Sequence, residues 1–526
     1  HGPFTLREPA ERFGLDVAAI ENVLRTLAHE GRVIEGGFRP GGLHREWCDA
    51  EILRQIRRKS LAKLRKEVEP VEQHTLARFL THWQGLLTPR RSGHAHLDAL
   101  LDAIENLQGA PLPASLLETS ILPARIADYA PAGLDTLIAA GEVAWAGVEP
   151  LGERDGRIAL YLADKLSLLT PQRPVVEPLT EREEKLLAVL ESTGASFFEP
   201  LHQAVGGGYP GESIDALWSL VWRGLITNDS LHALRAYIAR PESARAPRRL
   251  QTGVVFRSRR TTPPNAQGRW SVLPLRLAKS GPAAPTATEA SHALAMQLLS
   301  RYGVLLRESV AAENVPGGFS AVYDVLKALE ESGRIRRGYF VAGLGATQFA
   351  LPAAVDLLRQ LRTEPAQEKP EFVQLAAADP ANPYGSVLRW PDLPPMDDDS
   401  ESAPRILTRA AYAEVILRNG QLVAWLRRGN PNILVFLPPD EPERSQVAAG
   451  LAHFLCARGQ EKMHAPGHGS GREGMLITTI NGQPVAAHPM AHFLMDAGFH
   501  PGPLGMHLRR IPLPVADLHQ PPSELQ

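Results

Sequence analysis

The 526-residue sequence has very little cysteine. Its two thiols, Cys48 and Cys456, lie far apart in the chain. This excludes a disulfide framework and a cysteine-rich zinc module, and it favours a reducing, cytoplasmic location. No apolar run approaches the length of a membrane span and no signal-peptide pattern is present. We therefore expect neither membrane insertion nor export.

A strong excess of either charge is also missing. The formal net charge is −2, which argues against a uniformly basic coat for nucleic acid. The phosphate-loop pattern G-x-x-x-x-G-K-[ST] is absent, so the chain should not hydrolyse ATP by itself. The pairs His464/His468 and His488/His492 have helical spacing but no further ligands beside them. We accordingly expect no metal and no cofactor in this chain.

What the sequence does contain is a repeated junction, L-x-x-L-x-x-x-G-x-[VI]. It occurs four times, with its glycine at Gly31, Gly141, Gly224 and Gly333. The leucines indicate a buried helix face, the glycine suits a left-handed helix end, and the following Val or Ile begins a strand. The copies are too widely and unevenly spaced for a solenoid. We therefore predict separate helix–hairpin domains, each a winged helix.

The predicted fold class is multidomain α+β, with tandem winged-helix domains followed by an α+β module. The predicted bounds are winged helices at 1–45, 91–176, 177–240 and 288–369, a basic helical segment at 46–90, an Arg/Pro-rich connector at 241–287, and a β-barrel-like α+β module at 370–526. In the third winged helix, Trp218 and Trp222 lie four apart on the helix that would read DNA. We expect them to be packed inside, which makes that module a poor DNA reader.

Positive charge is concentrated in a helix, in the connector and in the fourth wing. The candidate nucleic-acid-binding residues there are Arg54, Arg57, Arg58, Lys59, Arg257, Arg259, Arg260, Arg334, Arg336 and Arg337. Such arrays can bind the phosphates of single-stranded or duplex DNA. Two alternatives remain open. The helix can be a solvated amphipathic one, and the connector can be a disordered linker or short strands at 254–256 and 270–273 around an arginine loop.

A stiff polar phrase stands out at 379–385, with the sequence DPANPYG. Asp379 and Asn382 each precede a proline, which holds both residues extended. Such a loop can present the Asp379 carboxylate to a substrate. Equally, Asp379 can close a local Asx-turn.

Several phrases in the same order resemble the C-terminal region of bacterial long-form Lhr, the large helicase-related proteins of helicase superfamily 2. They are 45–50, 58–70, 268–271, 337–340, 348–350 and 379–385. The resemblance implies a ladder of winged helices ending in a β-barrel module similar to that of AlkZ-type DNA glycosylases. It also implies DNA repair, homo-oligomerisation through this region and, in some relatives, removal of uracil from DNA. The helicase motor, with its ATP and magnesium, would precede residue 1, so we expect the chain to be part of a longer protein.

The sequence contains only part of the residue pattern that AlkZ-type glycosylases use. AlkZ-type enzymes use a glutamine, an apolar residue and then Asp or Gln, whereas here Gln348-Phe349 is followed by Ala350. A glycosylase needs a carboxylate or polarised water near the glycosidic carbon of a flipped nucleotide. Our candidates for that group are Asp379 and Asp517.

Three hypotheses follow from these observations. The chain is a DNA-binding and assembly module of a repair helicase without chemistry of its own, a DNA glycosylase, or a purely structural oligomerisation domain whose winged helices bind each other.

Overall fold

The computed structural model describes residues 2–39, 45–66, 69–87, 96–170, 177–239, 262–273, 285–362, 369–393, 406–464 and 474–508. They form four small helix-and-hairpin modules and a larger C-terminal module. None of the described helices is both long and apolar enough to cross a membrane. The connector arginines Arg257, Arg259 and Arg260, the stretch 254–256 and Asp517 lie outside these ranges.

The first module is a pair of helices with a hairpin. Its elements are α1 (Arg7–Phe13), α2 (Val17–His29), β1 (Val33–Gly36) and β2 (Glu46–Asp49). β1 pairs with β2 in antiparallel fashion, so the hairpin extends beyond the predicted bound at residue 45. The long helix α3 (Ala50–Lys66) follows at once. The Asp49 carboxylate accepts hydrogen bonds from the amides of Glu51 and Ile52 at 2.9 and 3.1 Å, which caps this helix.

The next three modules share one order of elements: a helix, a short strand, two helices and two antiparallel strands. These two strands form a hairpin in the second and fourth modules, whereas a helix and a 3-10 turn separate them in the third. After α4 (Gln73–Trp83), the elements of the second module are α5 (His96–Leu107), β3 (Leu112–Pro113), α6 (Ala114–Leu116), a π-helical turn (Leu117–Ile121), α7 (Pro131–Ala139), β4 (Val143–Pro150), β5 (Gly156–Leu162) and α8 (Leu166–Leu169). Those of the third are α9 (Glu181–Thr193), β6 (Ser196–Phe197), α10 (Phe198–Ala204), α11 (Pro210–Trp222), β7 (Ile226–Asn228), α12 (His232–Ile238), a 3-10 turn (Pro264–Ala266) and β8 (Arg269–Val272).

The fourth module repeats this order. Its elements are α13 (Ala287–Tyr302), β9 (Val304–Leu305), α14 (Arg307–Ala312), α15 (Ser320–Glu331), β10 (Arg336–Gly338), β11 (Gln348–Ala350) and α16 (Pro352–Arg362). Each of the three modules has a three-stranded sheet, ordered β3-β5-β4, β6-β8-β7 and β10-β11-β9. Strand β8 lies inside the predicted connector and completes the third sheet, in agreement with the short strand predicted at 270–273.

The repeated junction has the predicted geometry in all four copies. The φ angles of Gly31, Gly141, Gly224 and Gly333 are 70°, 77°, 66° and 77°. After each glycine, the next amide donates a 3.0 Å hydrogen bond to the carbonyl of the second leucine of the phrase, which is the Schellman arrangement. The acceptors are Leu27, Leu137, Leu220 and Leu329. The first leucine of each phrase is buried, so the predicted helix end is confirmed in all four copies. It leads into a hairpin in the first, second and fourth modules, whereas in the third β7 is followed by α12.

The described part of the C-terminal module contains two sheets and two α-helices. Its elements are β12 (Phe372–Ala376), β13 (Ala413–Arg418), β14 (Gln421–Arg427), β15 (Asn432–Val435), α17 (Glu443–His464), β16 (Leu476–Ile477), β17 (Thr479–Ile480), β18 (Gln483–Pro484), a 3-10 turn (Val485–Ala487), α18 (Met490–Asp496), β19 (Phe499–Gly502) and β20 (Gly505–Leu508).

The expectation of a β-barrel here was wrong for the part of the chain that the structure describes. Its larger sheet has the open order β12-β13-β14-β15-β17-β18, and a separate sheet has the order β16-β20-β19. Closure would require β12 and β18 to pair. β18 is only two residues long and includes Pro484, which has no amide hydrogen to donate to a further strand.

A buried arginine of the fourth module connects it to the second module. Arg301 on α13 donates to the backbone oxygens of Asn106 and Gln108 in the second module, and it pairs with Glu313. Burial acts to lower the pKa of Arg301, but Glu313 outweighs it and raises this pKa. Arg301 is 1% exposed, so the second and fourth modules meet through an interface that excludes water from a charged pair.

Candidate nucleic-acid interface

Helix α3 carries its four predicted basic residues on the surface. Arg54, Arg57, Arg58 and Lys59 are all exposed, whereas Leu53 beneath them is buried. Ile56, the next apolar residue along the helix, is 39% exposed, so the amphipathic pattern expected from the sequence is present only in part among the described side chains. At about 1.5 Å per residue, the 17-residue helix forms a rod of about 25 Å.

The structure brings this helix beside the basic wing of the fourth module. α3 contacts strand β10, which contains Arg336 and Arg337. Just beyond α3, Val71 adds a bridge to the wing, with its amide 2.8 Å from the Phe340 oxygen and its own oxygen 2.9 Å from the Ala342 amide. Two stretches more than 260 residues apart in the chain, as the pairing of Val71 with Val341 shows, therefore belong to one surface. We call this surface the basic ridge; its residues are Arg54, Arg57, Arg58, Lys59, Arg334, Arg336 and Arg337.

Acidic neighbours neutralise part of the basic ridge. Glu51 pairs with Arg54 at 2.6 Å and with Arg58 at 3.8 Å, and Arg336 lies 3.7 Å from the Asp356 carboxylate. Within the described ranges, Arg57 and Lys59 have no carboxylate partner. On helix α3, these two cations are consequently the ones most available to an external anion.

Asp379 lies in a buried ion pair with an arginine that the sequence analysis did not identify. Its two carboxylate oxygens accept hydrogen bonds from Arg125 at 2.9 Å each, and the residue is 1% exposed. Arg125 also donates to Gln84 at 2.5 Å. The carboxylate further accepts the Ala381 amide at 2.8 Å, which is the Asx-turn alternative. In this conformation the carboxylate is enclosed and serves to join the C-terminal module to the second.

The rest of the 379–385 loop is held by a second arginine. Arg409 donates to the backbone oxygens of Asp379, Asn382 and Tyr384. Burial lowers the pKa of Arg409. Asn382 in turn donates to Ala377 at 2.8 Å. Arg409 thus satisfies three carbonyl groups of the loop from within the fold, which stabilises its conformation.

Gln348, the glutamine of the AlkZ-like phrase, has a local role. Its side-chain oxygen accepts the amides of Phe340 and Val341, and its side-chain nitrogen donates to the oxygens of Val341 and Gly345. It is fully buried. All of its hydrogen-bonding capacity is used to shape the wing, so nothing remains for a substrate.

The tryptophan pair of the third module is internal, as predicted. Trp218 is 2% exposed and Trp222 is 7% exposed. Trp218 contacts Trp145, Trp270 and Tyr237. These aromatic rings therefore pack at the interface between the second and third modules. Among the described residues, no group of three His, Cys, Asp or Glu side chains could hold a metal ion.

Sequence comparison finds two winged-helix matches and two long relatives. Residues 71–163 and 284–370 match family models described as "Large helicase-related protein, winged-helix domain". The chain is 38% identical over 97% of its length to the "Lhr helicase/ probable uracil glycosylase" of Mycolicibacterium smegmatis. It is 35% identical over 96% of its length to the "Lhr helicase/uracil glycosylase" of Escherichia coli. The chain spans 33% of the length of each relative.

Among solved structures, the Streptomyces sahachiroi DNA glycosylase AlkZ overlaps with 73% of this chain and 95% of its own. The sequence identity is 14% and the TM-score is 0.42, a likeness that decides nothing about the chemistry of this chain.

Proposed function

This chain corresponds to a C-terminal region of the large helicase-related proteins, and on that premise we propose that it is the DNA-binding and assembly region of an ATP-dependent DNA repair helicase. ATP and magnesium would be used by a motor outside the chain, in the cytoplasm. The whole-length similarity to two relatives named as helicases supports this proposal.

The observation that carries the DNA-binding part is the basic ridge. It joins an exposed cationic helix to a cationic wing, and Arg57 and Lys59 have no carboxylate partner within the described ranges. Exposed arginine and lysine side chains on helices and wings are groups that contact a DNA backbone. The near-neutral total charge restricts such contact to this kind of local surface.

A double variant, Arg57→Ala with Lys59→Ala, tests this placement. If both cations contact phosphates of duplex DNA, the slope of log K against log salt becomes shallower by about 1.8. The matched control is Arg54→Ala with Arg58→Ala, which removes two cations already paired with Glu51 and should change the slope less. An unchanged slope in the first variant would place the DNA elsewhere.

A uracil-DNA glycosylase activity is a second candidate function. The names of both relatives favour it. In the described residues Asp379 is enclosed, so of our two candidates Asp517 is the better one, although it lies outside the described ranges. Incubation of the chain with uracil-containing DNA, followed by alkali, should give strand breaks that Asp517→Asn abolishes. Undiminished breaks in that variant would remove Asp517, and no breaks with the wild type would remove the activity.

The proposal also includes self-assembly of this region. The alternative to the proposal is a purely structural assembly region that does not bind DNA. Exposed apolar side chains on the first module, among them Phe13 at 66% and Val23 at 57%, favour a protein contact there. Light scattering of the isolated chain should give a mass above 57.3 kDa. A monomer at micromolar concentration would contradict assembly, and assembly without any DNA binding would favour the structural alternative.

A further inference from the structure

The fourth module has a cluster of partly exposed aromatic side chains, none of which is among the predicted site residues. Phe319 and Tyr323 lie at the start of helix α15 and are both half-buried. Their rings contact each other at 5.9 Å between centroids, and they contact the fully buried Phe349 at 6.4 and 6.2 Å. Phe349 thus lies beneath two rings that pack against the core of this module and remain partly exposed. Among the described residues, the Tyr323 hydroxyl has no hydrogen-bond partner.

Two arginines lie close to this aromatic cluster. Arg307, exposed at the start of α14, lies over Phe319 at 5.8 Å, and Arg337 lies over Phe349 at 5.8 Å. Arg337 is the cross-strand partner of Phe349, which explains its position. Within the described part of the chain, neither arginine has a carboxylate within ion-pair distance. Their charges are thus uncompensated beside an aromatic surface.

The alternation of arginine and aromatic rings differs from an ordinary core edge. In the third module the aromatic residues at the equivalent helix, Trp218 and Trp222, are buried against the second module. By the register of the repeated junction, the positions of these tryptophans on α15 are Lys327 and Glu331. Phe319 and Tyr323 lie at the opposite end of that helix, where both are partly exposed. Arginines with aromatic rings are the combination with which proteins bind unpaired nucleotides, because each base has a face for stacking and each phosphate needs a cation.

We propose that Phe319, Tyr323, Arg307 and Arg337 form a stacking site for unpaired bases of single-stranded DNA. The inference rests on the proposed DNA-binding function and deepens it. Bases inside a duplex are stacked on one another and cannot reach these rings, so the site selects single strands or the unpaired bases of a junction. Arg337 also belongs to the basic ridge, so a strand leaving a duplex on the ridge would continue onto this site.

Photo-crosslinking tests the position directly. Oligothymidylate carrying 5-iododeoxyuridine, irradiated with the full chain, should form an adduct on the peptide that contains Phe319 and Tyr323, identified by mass spectrometry. An adduct found only elsewhere would overturn the proposal.

Affinity measurements by fluorescence anisotropy test the chemistry. Tyr323→Leu and Phe319→Leu should each weaken binding of oligothymidylate at least about fivefold and leave blunt duplex binding within twofold. Tyr323→Phe keeps the ring and should bind normally, which separates stacking from loss of fold. The matched control is Tyr209→Leu, at a 74% exposed tyrosine of the third module, which should have no effect.

The outcomes separate this inference from the proposed function. If the Arg57/Lys59 variant loses affinity and the Tyr323 and Phe319 variants do not, the DNA-binding function stands and the stacking site is overturned. A wild-type chain that binds neither form of DNA overturns both. Equal losses of duplex and single-strand binding in Tyr323→Leu would also overturn the stacking site, because stacking on unpaired bases cannot act on a duplex.

Discussion

Removing the Arg125 side chain should loosen the junction between the second module and the C-terminal module. Arg125 is 5% exposed and its partner Asp379 is 1% exposed, so Arg125→Met leaves a carboxylate without water and without its cation. The two 2.9 Å hydrogen bonds of the pair and the 2.5 Å bond to Gln84 are lost together. The change is therefore much larger than the loss of a surface ion pair.

Breaking such a buried pair from one side typically costs about 3–5 kcal/mol, most of it from the stranded charge. The double variant, Arg125→Met with Asp379→Asn, removes both charges and keeps an acceptor for the Ala381 amide. It should cost about 2 kcal/mol less than Arg125→Met alone, because neither member of the Arg125–Asp379 pair is then left as a buried charge without its partner. For a cooperative unit of about 250 residues, a loss of about 4 kcal/mol lowers the melting temperature by about 8 °C.

The assay is thermal unfolding of the wild type, both single variants and the double variant at one protein concentration. Asp379→Asn alone should also be destabilised, because Arg125 is then the unpaired charge. The four melting temperatures form a double-mutant cycle, in which the coupling between the two residues is the measured quantity.

The same variants distinguish a structural Asp379 from a catalytic one. If the double variant is as unstable as Arg125→Met, the argument that an unpaired buried carboxylate destabilises Arg125→Met is refuted. If it is stable but lacks a glycosylase activity that the wild type has, Asp379 takes part in the chemistry, contrary to its enclosure. If it is stable and active, the structural role is supported.

Two further predictions concern the contact between α4 and the C-terminal module. Gly420→Ala should destabilise the chain more than Gly333→Ala; both glycines have positive φ, but a Cβ at Gly420 would lie 2.1 Å from the His74 oxygen, whereas one at Gly333 meets nothing within 4 Å. Equal melting temperatures would contradict this steric argument. Burial acts to raise the pKa of Glu371, but hydrogen bonds from Arg78 and His82 outweigh it and lower this pKa. Ionised Glu371 therefore stabilises the fold above its ordinary pKa of 4.5, and this contribution is lost as the pH falls through the lower folded value. The wild type should melt higher than Glu371→Gln near neutral pH, by an amount that shrinks as the pH falls below 4.5; a constant difference would refute the argument.

The local elements were largely accessible from the sequence. The Schellman ends at Gly31 and Gly333 and the burial of Trp218 each depend on residues a few positions apart. Turn chemistry and helix periodicity act over that range. The predicted barrel did not form in the described part because closure depends on pairing between strands more than a hundred residues apart, which no local pattern encodes.

Only part of the candidate site could be predicted from the sequence. The cations of α3 and of the wing could be found as clusters of basic letters, and Asp379 as a residue of a stiff loop. Their partners could not, since Arg125 pairs with Asp379 across 254 positions. Arg307 and Tyr323 gave no signal either, because a lone arginine and a helical tyrosine are ordinary in any sequence.

The sequence by itself determined that the chain repeats a helix–glycine–hairpin module, because the glycine conformation and leucine spacing act within one turn and one helix. Only the tertiary structure decided which surfaces those modules form. It placed α3 against β10, enclosed Asp379 with Arg125, and kept Phe319 and Tyr323 at the surface while Trp218 was buried. Each of these outcomes depends on the excluded volume and charge of residues far away in the chain, and such contacts exist only after the modules have packed together.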